Sequence, residues 1–343
     1  MTQKIQVISC PNCSSKLIKR AGIKRRKIQD SQRYFCNDCH KTFTLESTKN
    51  KTYQITTILK TISLYNLGHS QSQVQKLLKI NPKPSQKTIS NWINEFKTIT
   101  TFNRLRKEAK SQFSSENIIE QYEFLHNNLS YKYQIHNFKL NHLTKDDEKL
   151  SRIKDYLERI QTKQFSHHIF KPNYEIENKS DRASQTSFKT LKISILTKNN
   201  LANKLTGLAL NLAKTNKDRH QSIQDFFIIN DSTTIAAEIP IYLTHDDLLY
   251  FNSHGFLLNP NNFSTPITGH IDILQIRNNL IHILDYKPEA NKTNPMHQLT
   301  VYALALASKT KLPLTLFKCA WFDDKNYYEF FPLHVVMNRK VYK

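Results

Sequence analysis

Glycine, acidic residues and long apolar runs are all scarce in this 343-residue chain. Only five glycines are present, and no GxGxxG or Walker pattern occurs, which excludes the common glycine-rich phosphate loops. No apolar stretch approaches the roughly 18 residues of a membrane span, and the N-terminus lacks the apolar segment of a secretion signal. These absences predict an intracellular, cytoplasmic protein that is not inserted into a membrane.

Positive charge is abundant instead. The chain has 50 Lys and Arg against 28 Asp and Glu, a formal net charge of +22. Residues 1–110 hold 22 of the basic residues and five of the acidic ones, and so carry 17 of the 22 excess charges. A basic excess concentrated at one end favours DNA as the partner, and a nucleoid-associated location, over a merely solvated lysine-rich surface.

Two CxxC pairs near the N-terminus have the spacing of a metal site. Cys10 and Cys13 are separated from Cys36 and Cys39 by 22 residues. Each pair places two thiolates on one tight turn, and two such turns complete a tetrahedral Zn²⁺ shell. A segment this short cannot bury a core, so we expect a structural Zn²⁺ to fold a small β zinc ribbon over residues 1–48.

The sequence around the cysteines also points to DNA. Four basic residues between the two pairs are suited to phosphate contacts: Lys24, Arg25, Arg26 and Lys27. The run QRYFCNDCHKTF resembles the zinc ribbons at the front of insertion-sequence transposases, and this resemblance implies DNA binding.

Helical periodicity begins after the ribbon. Apolar residues at i, i+3 and i+4 from Ile55 to Tyr65 predict a first helix, which Gly68 ends. Ser70 is placed to cap a second helix, and Ser85 to start a third. This order is typical of a helix-turn-helix and predicts an all-α DNA-binding domain over residues 52–100, with a plain three-helix bundle as the alternative. The polar residues expected to face the DNA groove are Gln86, Lys87, Ser90, Asn91 and Asn94.

The middle of the chain is predicted to be a helical connector over residues 101–180. Segments 101–129 and 143–164 have helical patterns, and the aromatic segment 131–140 between them is either a strand or an exposed stretch. Residues 177–187 are polar and predict a linker. The connector orients the two ends of the chain or offers a surface for a homodimer or a partner protein.

Charged residues interrupt apolar, strand-like sequence in GHIDILQIRNNLIHILDYKPE, which begins at Gly269. Two strands joined by a hairpin at residues 277–279 are predicted, and Asp285 and Lys287 alternate onto one face about 6.5–7 Å apart. Pairing across the hairpin can bring Asp272 beside Asp285. Adjacent carboxylates repel unless a cation joins them, and Mg²⁺ or Mn²⁺ fits oxygen ligands. The pattern predicts metal-assisted phosphodiester hydrolysis; an ion pair on an edge strand is the alternative.

The motifs GHIDIL, LDYK and HQLTVYALAL, with AEIPI upstream, resemble the PD-(D/E)XK nucleases, and specifically the RecB-like branch with its QxxxY helix. The resemblance covers roughly residues 200–335 and implies an α/β restriction-endonuclease-like domain with a mixed central sheet, over residues 188–343. It implies that Asp272, Asp285 and the Tyr286 carbonyl bind the metal, and that Lys287 orients or activates water.

Four further roles follow from the same resemblance. Glu238 would add a ligand or hold a water, and Gln298 and Tyr302 would brace the site or touch DNA. His220 is the nearest candidate for the metal-binding histidine that this branch carries on its first helix. His270 is left unassigned.

Together these features predict a multidomain, Mg²⁺- or Mn²⁺-dependent DNA nuclease. Its N-terminal modules bind DNA and its C-terminal domain cuts, which suits a mobile element or a defence system. The rival interpretation is a non-catalytic DNA-binding regulator or transposase accessory protein, in which the nuclease-like domain is only a scaffold. An RNA-processing nuclease is a further alternative.

Overall fold

The structure is a computed structural model that describes residues 10, 12–13, 15–24, 31–44, 52–126, 129–160, 182–263 and 266–337. The chain divides into two compact units. The first comprises Met1–Tyr65 and His69–Glu95, and the second comprises Asn66–Gly68 and Phe96–Lys343. Arg25, Arg26 and Lys27, which were predicted to contact phosphates, lie outside the described residues.

A three-stranded antiparallel sheet lies near the N-terminus. Its strands, in spatial order, are β1 (Ile18–Lys24), β2 (Ser31–Cys36) and β3 (Thr42–Thr44). Tyr34 pairs with Phe43 across β2 and β3, and their rings stack with centroids 5.8 Å apart. This sheet confirms the predicted small β element.

Three helices follow, all but their last residues at Asn66 and Phe96 in the first unit: α1 (Ile55–Asn66), α2 (Gln71–Leu77) and α3 (Gln86–Phe96). Gly68 adopts φ +105° after α1, a conformation open to glycine, and so lets the chain turn. Ser70 and Gln73 form a reciprocal capping box at the start of α2. The Ser85 hydroxyl accepts a hydrogen bond from the Thr88 N–H and caps α3. The helix starts and the break at Gly68 therefore agree with the sequence prediction.

A mixed sheet forms the centre of the second unit, with eight strands among the described residues. In chain order they are β4 (Ile119–His126), β5 (Leu129–His136), β6 (Leu196–Thr197), β7 (Thr234–Leu243), β8 (Ile267–Arg277), β9 (Leu280–Tyr286), β10 (Phe317–Phe322) and β11 (Tyr327–Phe330). The spatial order is β4-β5-β7-β8-β9-β10-β11-β6. Neighbours are antiparallel except β9 and β10, which are parallel. The mixed C-terminal sheet is confirmed.

Among the described residues the second unit has eight α-helices, several of which pack on this sheet. They are α4 (Arg106–Gln112), α5 (Asn137–Thr144), α6 (Glu148–Ile160), α7 (Leu201–Ala209), α8 (Arg219–Asn230), α9 (His245–Ser253), α10 (Met296–Thr310) and α11 (Pro332–Val336). The parallel pair β9 and β10 needs a crossover, and α10 supplies it. Leu299 and Leu304 of α10 pack with Ile271 and Ile283 of the sheet in the main hydrophobic core.

The prediction of a helical middle is wrong for residues 119–126, whereas the strand alternative for the segment 131–140 is confirmed as far as residue 136. Residues 119–126, predicted to be helical, form β4, and the aromatic segment 131–140 divides between β5 and α5. Along β4 the side chains of Tyr122 and Phe124 are half-buried, whereas Gln121 and Glu123 are exposed. That period of two belongs to a half-buried strand. β5 then pairs with β7, so the hairpin widens the central sheet instead of connecting two domains.

Candidate metal centres and the acidic site

Four cysteine thiols converge beside the N-terminal sheet. Cys10 Sγ lies 3.5 Å from Cys39 Sγ, Cys13 Sγ lies 3.5 Å from Cys36 Sγ, and all four sulfurs are within 4.8 Å of one another. A tetrahedral Zn²⁺ with bonds of about 2.3 Å spaces its thiolates about 3.8 Å apart. Backbone hydrogen bonds from Cys39 and Asp38 lower the pKa of Cys36 to about 6 and favour its metal-binding thiolate. The cluster can therefore hold a structural metal ion such as zinc.

Helix α3 has one apolar and one polar face. Ile89, Trp92 and Ile93 are buried, and Trp92 packs edge-on against Tyr53 with ring centroids 5.1 Å apart. Of the residues predicted to face DNA, four are exposed: Gln86, Lys87, Asn91 and Asn94. Ser90 differs, because it is half-buried and its hydroxyl accepts a hydrogen bond of 2.9 Å from Gln71 of α2. Lys24 ends β1 and pairs with Ser31 across the ribbon hairpin.

Three acidic residues form a row across the strands β7, β8 and β9. Ala237 and Ile239 pair with Ile273 and Ile271, so Glu238 lies opposite Asp272. Ile273 also pairs with Leu284, and the next step of that register places Asp272 opposite Asp285. Asn278 and Asn279, both at positive φ, close the hairpin that sets this register. We call Glu238, Asp272 and Asp285 the acidic row.

Burial and neighbouring charges shift the pKa values of Asp272 and Asp285 in opposite directions. Asp285 is 2% exposed, and its burial, followed by the negative charge of Asp272, raises its pKa to about 7. Burial also disfavours the ionised form of Asp272, but His220 and then Lys287 hold the pKa of Asp272 below its ordinary value. Adjacent carboxyl groups with pKa values pushed apart are typical of sites that bind a cation or carry acid–base chemistry.

Two basic side chains lie against the pair. Lys287 Nζ is 2.8 Å from Asp285 Oδ2, and His220 Nδ1 of α8 is 3.6 Å from Asp272 Oδ2. Burial alone would lower the pKa of Lys287, but the charges of Asp285 and Asp272 raise it above its ordinary value. The Asp272 contact likewise raises the pKa of His220 against the effect of burial. Lys287 is therefore a fixed positive charge at neutral pH.

Tyr286 joins the site through its amide and its ring. Its backbone N–H donates a 3.0 Å hydrogen bond to Asp272 Oδ2, and its ring centroid is 5.0 Å from that of His220. The structure thus brings Asp272, Asp285, Tyr286, Lys287 and His220 together.

Helix α10 contributes Gln298 and Tyr302. Gln298 Nε2 donates a 2.8 Å hydrogen bond to the Tyr302 hydroxyl, and Tyr302 is almost fully buried. Burial, Asp285, Asp272 and Glu238 all raise the pKa of Tyr302, so its hydroxyl keeps its proton close to the acidic row. The Tyr302 ring lies directly over Gly269: a Cβ added there would be 2.5 Å from Tyr302 Cε1.

Replacing Gly269 by alanine is expected to displace Tyr302 and to lower the free energy of unfolding by about 1–3 kcal/mol through overpacking. Urea denaturation measures this loss. Gly207→Ala is the matched control, because its added methyl meets Asp324 Cβ at 4.0 Å, an ordinary contact. The double variant Gly269→Ala/Tyr302→Leu should recover part of the loss, and strictly additive losses would contradict the contact.

Two residues of the site were missed by the sequence argument. His270 Nδ1 lies 3.0 Å from Glu238 Oε1, and Gln224 Nε2 donates to Glu238 Oε2. Gln224 follows His220 by four residues on α8, so both project from one helical face towards the row. That spacing was the available signal for Gln224. His270 lies two residues before Asp272, so the two side chains are on the same face of the strand, but no sequence motif linked His270 to Glu238.

The raised pKa of Asp285 predicts a pH-dependent stability change when no divalent cation is added. Between pH 4 and 7 the folded protein retains a proton that the unfolded chain releases, so the contribution of Asp285 to stability falls as pH rises through this range. Asp285→Asn removes this effect. We expect it to stabilise zinc-loaded protein at pH 8 by on the order of 1 kcal/mol, and much less at pH 4.5. Urea unfolding at both pH values checks this, and an equal change at both would contradict it.

Comparisons with known proteins give no relative from which to transfer a function: no family model matches the chain, and searches of curated proteins and of solved structures return no significant match. Within the described part of the chain, no helix combines the length and apolarity needed to cross a bilayer.

Proposed function

We propose that this protein is a metal-dependent DNA nuclease that hydrolyses phosphodiester bonds at the acidic row. The observation that carries the proposal is the closeness of Asp272 to Asp285 on neighbouring strands, with Lys287 Nζ 2.8 Å from Asp285 Oδ2. Burying carboxylates beside a positive charge costs desolvation free energy, and apolar residues at the same positions would stabilise the strands as well or better. A catalytic role accounts for that cost.

The donor set suits a hard divalent cation. Asp272 and Asp285 provide carboxylate oxygens, which Mg²⁺ and Mn²⁺ prefer. A cation between them would offset the burial and the repulsion by Asp272 that together raise the pKa of Asp285. We assign the Tyr286 carbonyl and His220 as further ligands. When bound, the ion would supply Lewis-acid stabilisation of a phosphate and a more acidic water.

The chain's own residues have defined tasks in this proposal. Because the pKa of Lys287 is raised, the residue acts as a cation that orients water and stabilises negative charge on the phosphate, and not as a general base. Tyr302 keeps its hydroxyl proton and can donate it as a hydrogen bond to the substrate, while Gln298 holds that hydroxyl in place.

Targeting to DNA is assigned to the N-terminal unit. The thiol cluster would hold a structural Zn²⁺, and the exposed face of α3 and the basic ribbon residues would contact the duplex. Lys87→Gln is expected to reduce the slope of log affinity against log salt concentration by about 1, as loss of one phosphate contact should. Lys60→Gln, at an exposed position on α1, is the control. Fluorescence anisotropy over a salt series measures both, and equal slopes in the two variants would argue against the assignment.

Cleavage assays on linear and circular DNA test the proposal, with Mg²⁺, Mn²⁺ or EDTA and with Asp285→Asn alongside the wild type. Cleavage of circular DNA by the wild type alone would establish endonuclease action. Cleavage of linear DNA only would indicate an exonuclease.

The ion-pair contacts of Asp272 and Asp285 also favour a second candidate function. Asp272 contacts His220 and Asp285 contacts Lys287, as in a structural ion-pair network. In that case the protein is a non-catalytic DNA-binding regulator or transposase accessory protein. Equal DNA binding by the wild type and Asp285→Asn, with no cutting by either, would select this function.

A further inference from the structure

A cleft of about 380 Å³ lies between α6 and the C-terminal end of α10, and it shares no lining residue with the acidic row. Four of its lining side chains are basic: Arg152 and Arg159 of α6, and Lys309 and Lys311 at the end of α10. Among the described residues that line it, one is acidic, Asp155. Arginine and lysine side chains around one concave surface suit an anionic ligand.

The charges of the cleft do not cancel. Lys309 adds little net charge, because its Nζ lies 2.7 Å from Asp247 Oδ2 of α9 and the two form an ion pair. The other three basic residues of the lining are exposed, and the acidic residue offsets one of them. An excess of two positive charges therefore remains at the mouth of the cleft.

The end of α10 also brings partial negative charge to the cleft, about half an elementary charge, which opposes anion binding. Arg152 offsets it, since Arg152 Nη1 donates a 3.1 Å hydrogen bond to the Lys311 carbonyl. A guanidinium has five N–H donors, so this bond leaves others for a phosphate oxygen. The full charge of Arg152 outweighs the partial charge of the helix end.

The spacing of the arginines suits a strand of nucleic acid better than a single small anion. Helix α6 is anchored on the sheet by its buried face, and the Tyr156 hydroxyl donates a 3.2 Å hydrogen bond to the Pro240 carbonyl of β7. Arg152 and Arg159 are seven residues apart, so they lie on one helical face about 10 Å apart along the axis. A nucleic-acid strand carries a phosphate about every 3.4 Å of duplex axis, so this span covers about three phosphates.

We propose that this cleft binds the phosphate backbone of a nucleic-acid strand through Arg152, Arg159 and Lys311, and so gives the second unit a DNA contact of its own. The inference rests on the proposed DNA-directed function and extends it beyond the N-terminal unit. Helix α10 links the cleft to the acidic site, because Tyr302 and Lys309 lie on one helical face about 10 Å apart along the axis. A strand held in the cleft is thus within a few nucleotides of Tyr302.

Fluorescence anisotropy of the zinc-loaded full chain with labelled duplex DNA, over a salt series without added divalent cation, tests the proposal. Arg152→Gln/Arg159→Gln should reduce the slope of log affinity against log salt concentration by about 2, because each lost phosphate contact removes about 0.9. Lys107→Gln/Lys110→Gln is the matched control, since it removes two exposed charges from α4 of the same unit. The control, and Arg152→Lys/Arg159→Lys, which keeps both charges, should stay within about 0.5 of the wild-type slope.

An unchanged slope in Arg152→Gln/Arg159→Gln overturns the proposal, as does an equal reduction in the control or an absence of DNA binding by the wild type. Weaker binding of inorganic phosphate by the double variant, with an unchanged DNA slope, would identify a small-anion site and also overturn it. If the double variant does not fold, Lys311→Gln decides: a reduction of about 1 supports the proposal, and no reduction overturns it.

The outcome is separable from that of the nuclease proposal. A wild type that binds DNA through the cleft yet leaves it intact refutes only the nuclease. A wild type that cuts DNA while Arg152→Gln/Arg159→Gln keeps the wild-type slope refutes only the cleft.

Discussion

Replacing Asp285 by asparagine is expected to slow phosphodiester hydrolysis by on the order of 10²–10³-fold or more. The substitution keeps the side-chain shape but removes the negative charge at the most buried carboxylate of the acidic row. DNA affinity should change by less than about two-fold, because the surface proposed to bind DNA lies in the other unit. Single-turnover cleavage in Mg²⁺ and fluorescence anisotropy measure the two quantities separately.

Asp246→Asn is the matched control for this prediction. Asp246 is an exposed aspartate in the first turn of α9, away from the acidic row in sequence and in contacts. Its replacement should leave the cleavage rate at the wild-type value. Equal loss of hydrolysis in both variants, or full activity in Asp285→Asn, would be incompatible with the proposed chemistry.

The second large effect is expected from Cys36→Ser. Structural zinc contributes about 10–16 kcal/mol of apparent binding free energy in small zinc domains, so loss of one thiolate should release the metal and unfold the ribbon. DNA affinity should then fall at least roughly ten-fold, since the phosphate contacts proposed for the basic residues of the ribbon would be lost. Hydrolysis of short oligonucleotides at saturating concentration should persist. Metal analysis, anisotropy and cleavage assays give the three readouts.

Cys319→Ala separates a zinc effect from the loss of any buried thiol. Cys319 is fully buried in β10, and its Sγ contacts the Leu299 carbonyl, apart from the four clustered cysteines. This variant should retain zinc and DNA affinity. Retention of zinc by Cys36→Ser, or loss of hydrolysis at saturation, would show that binding and cutting are not divided between the units as proposed.

Local sequence signals were enough to predict those parts of the fold that depend on residues close together in the chain. Two CxxC turns, a capping serine and an Asn-Asn hairpin each have a physical preference that needs no distant partner, and all of these elements are present. The pairing of Asp272 with Asp285 was predictable for the same reason, since the hairpin at Asn278 fixes the register between them.

The remaining features depend on contacts between distant segments. β4 was missed, and a strand at β5 was only one of two alternatives, because their place at one end of the sheet follows from the pairing of Gln134 with Ala237 far along the chain. The role of Glu238 was predicted only by resemblance. Its left-handed backbone and its contacts with Gln224 and His270 follow from tertiary packing, which intrinsic propensity does not encode.

The sheet order also determines when the acidic row can assemble during synthesis. β5 leaves the ribosome long before β7, which lies between β5 and β8 in the sheet. The parallel neighbour of β9 is β10, at Phe317–Phe322, and it is synthesised later still. Non-local pairings of this kind form slowly, whereas the ribbon and its helices depend on nearby residues. A nascent chain can thus acquire its N-terminal unit first, and the carboxylates meet only after β9 has been synthesised.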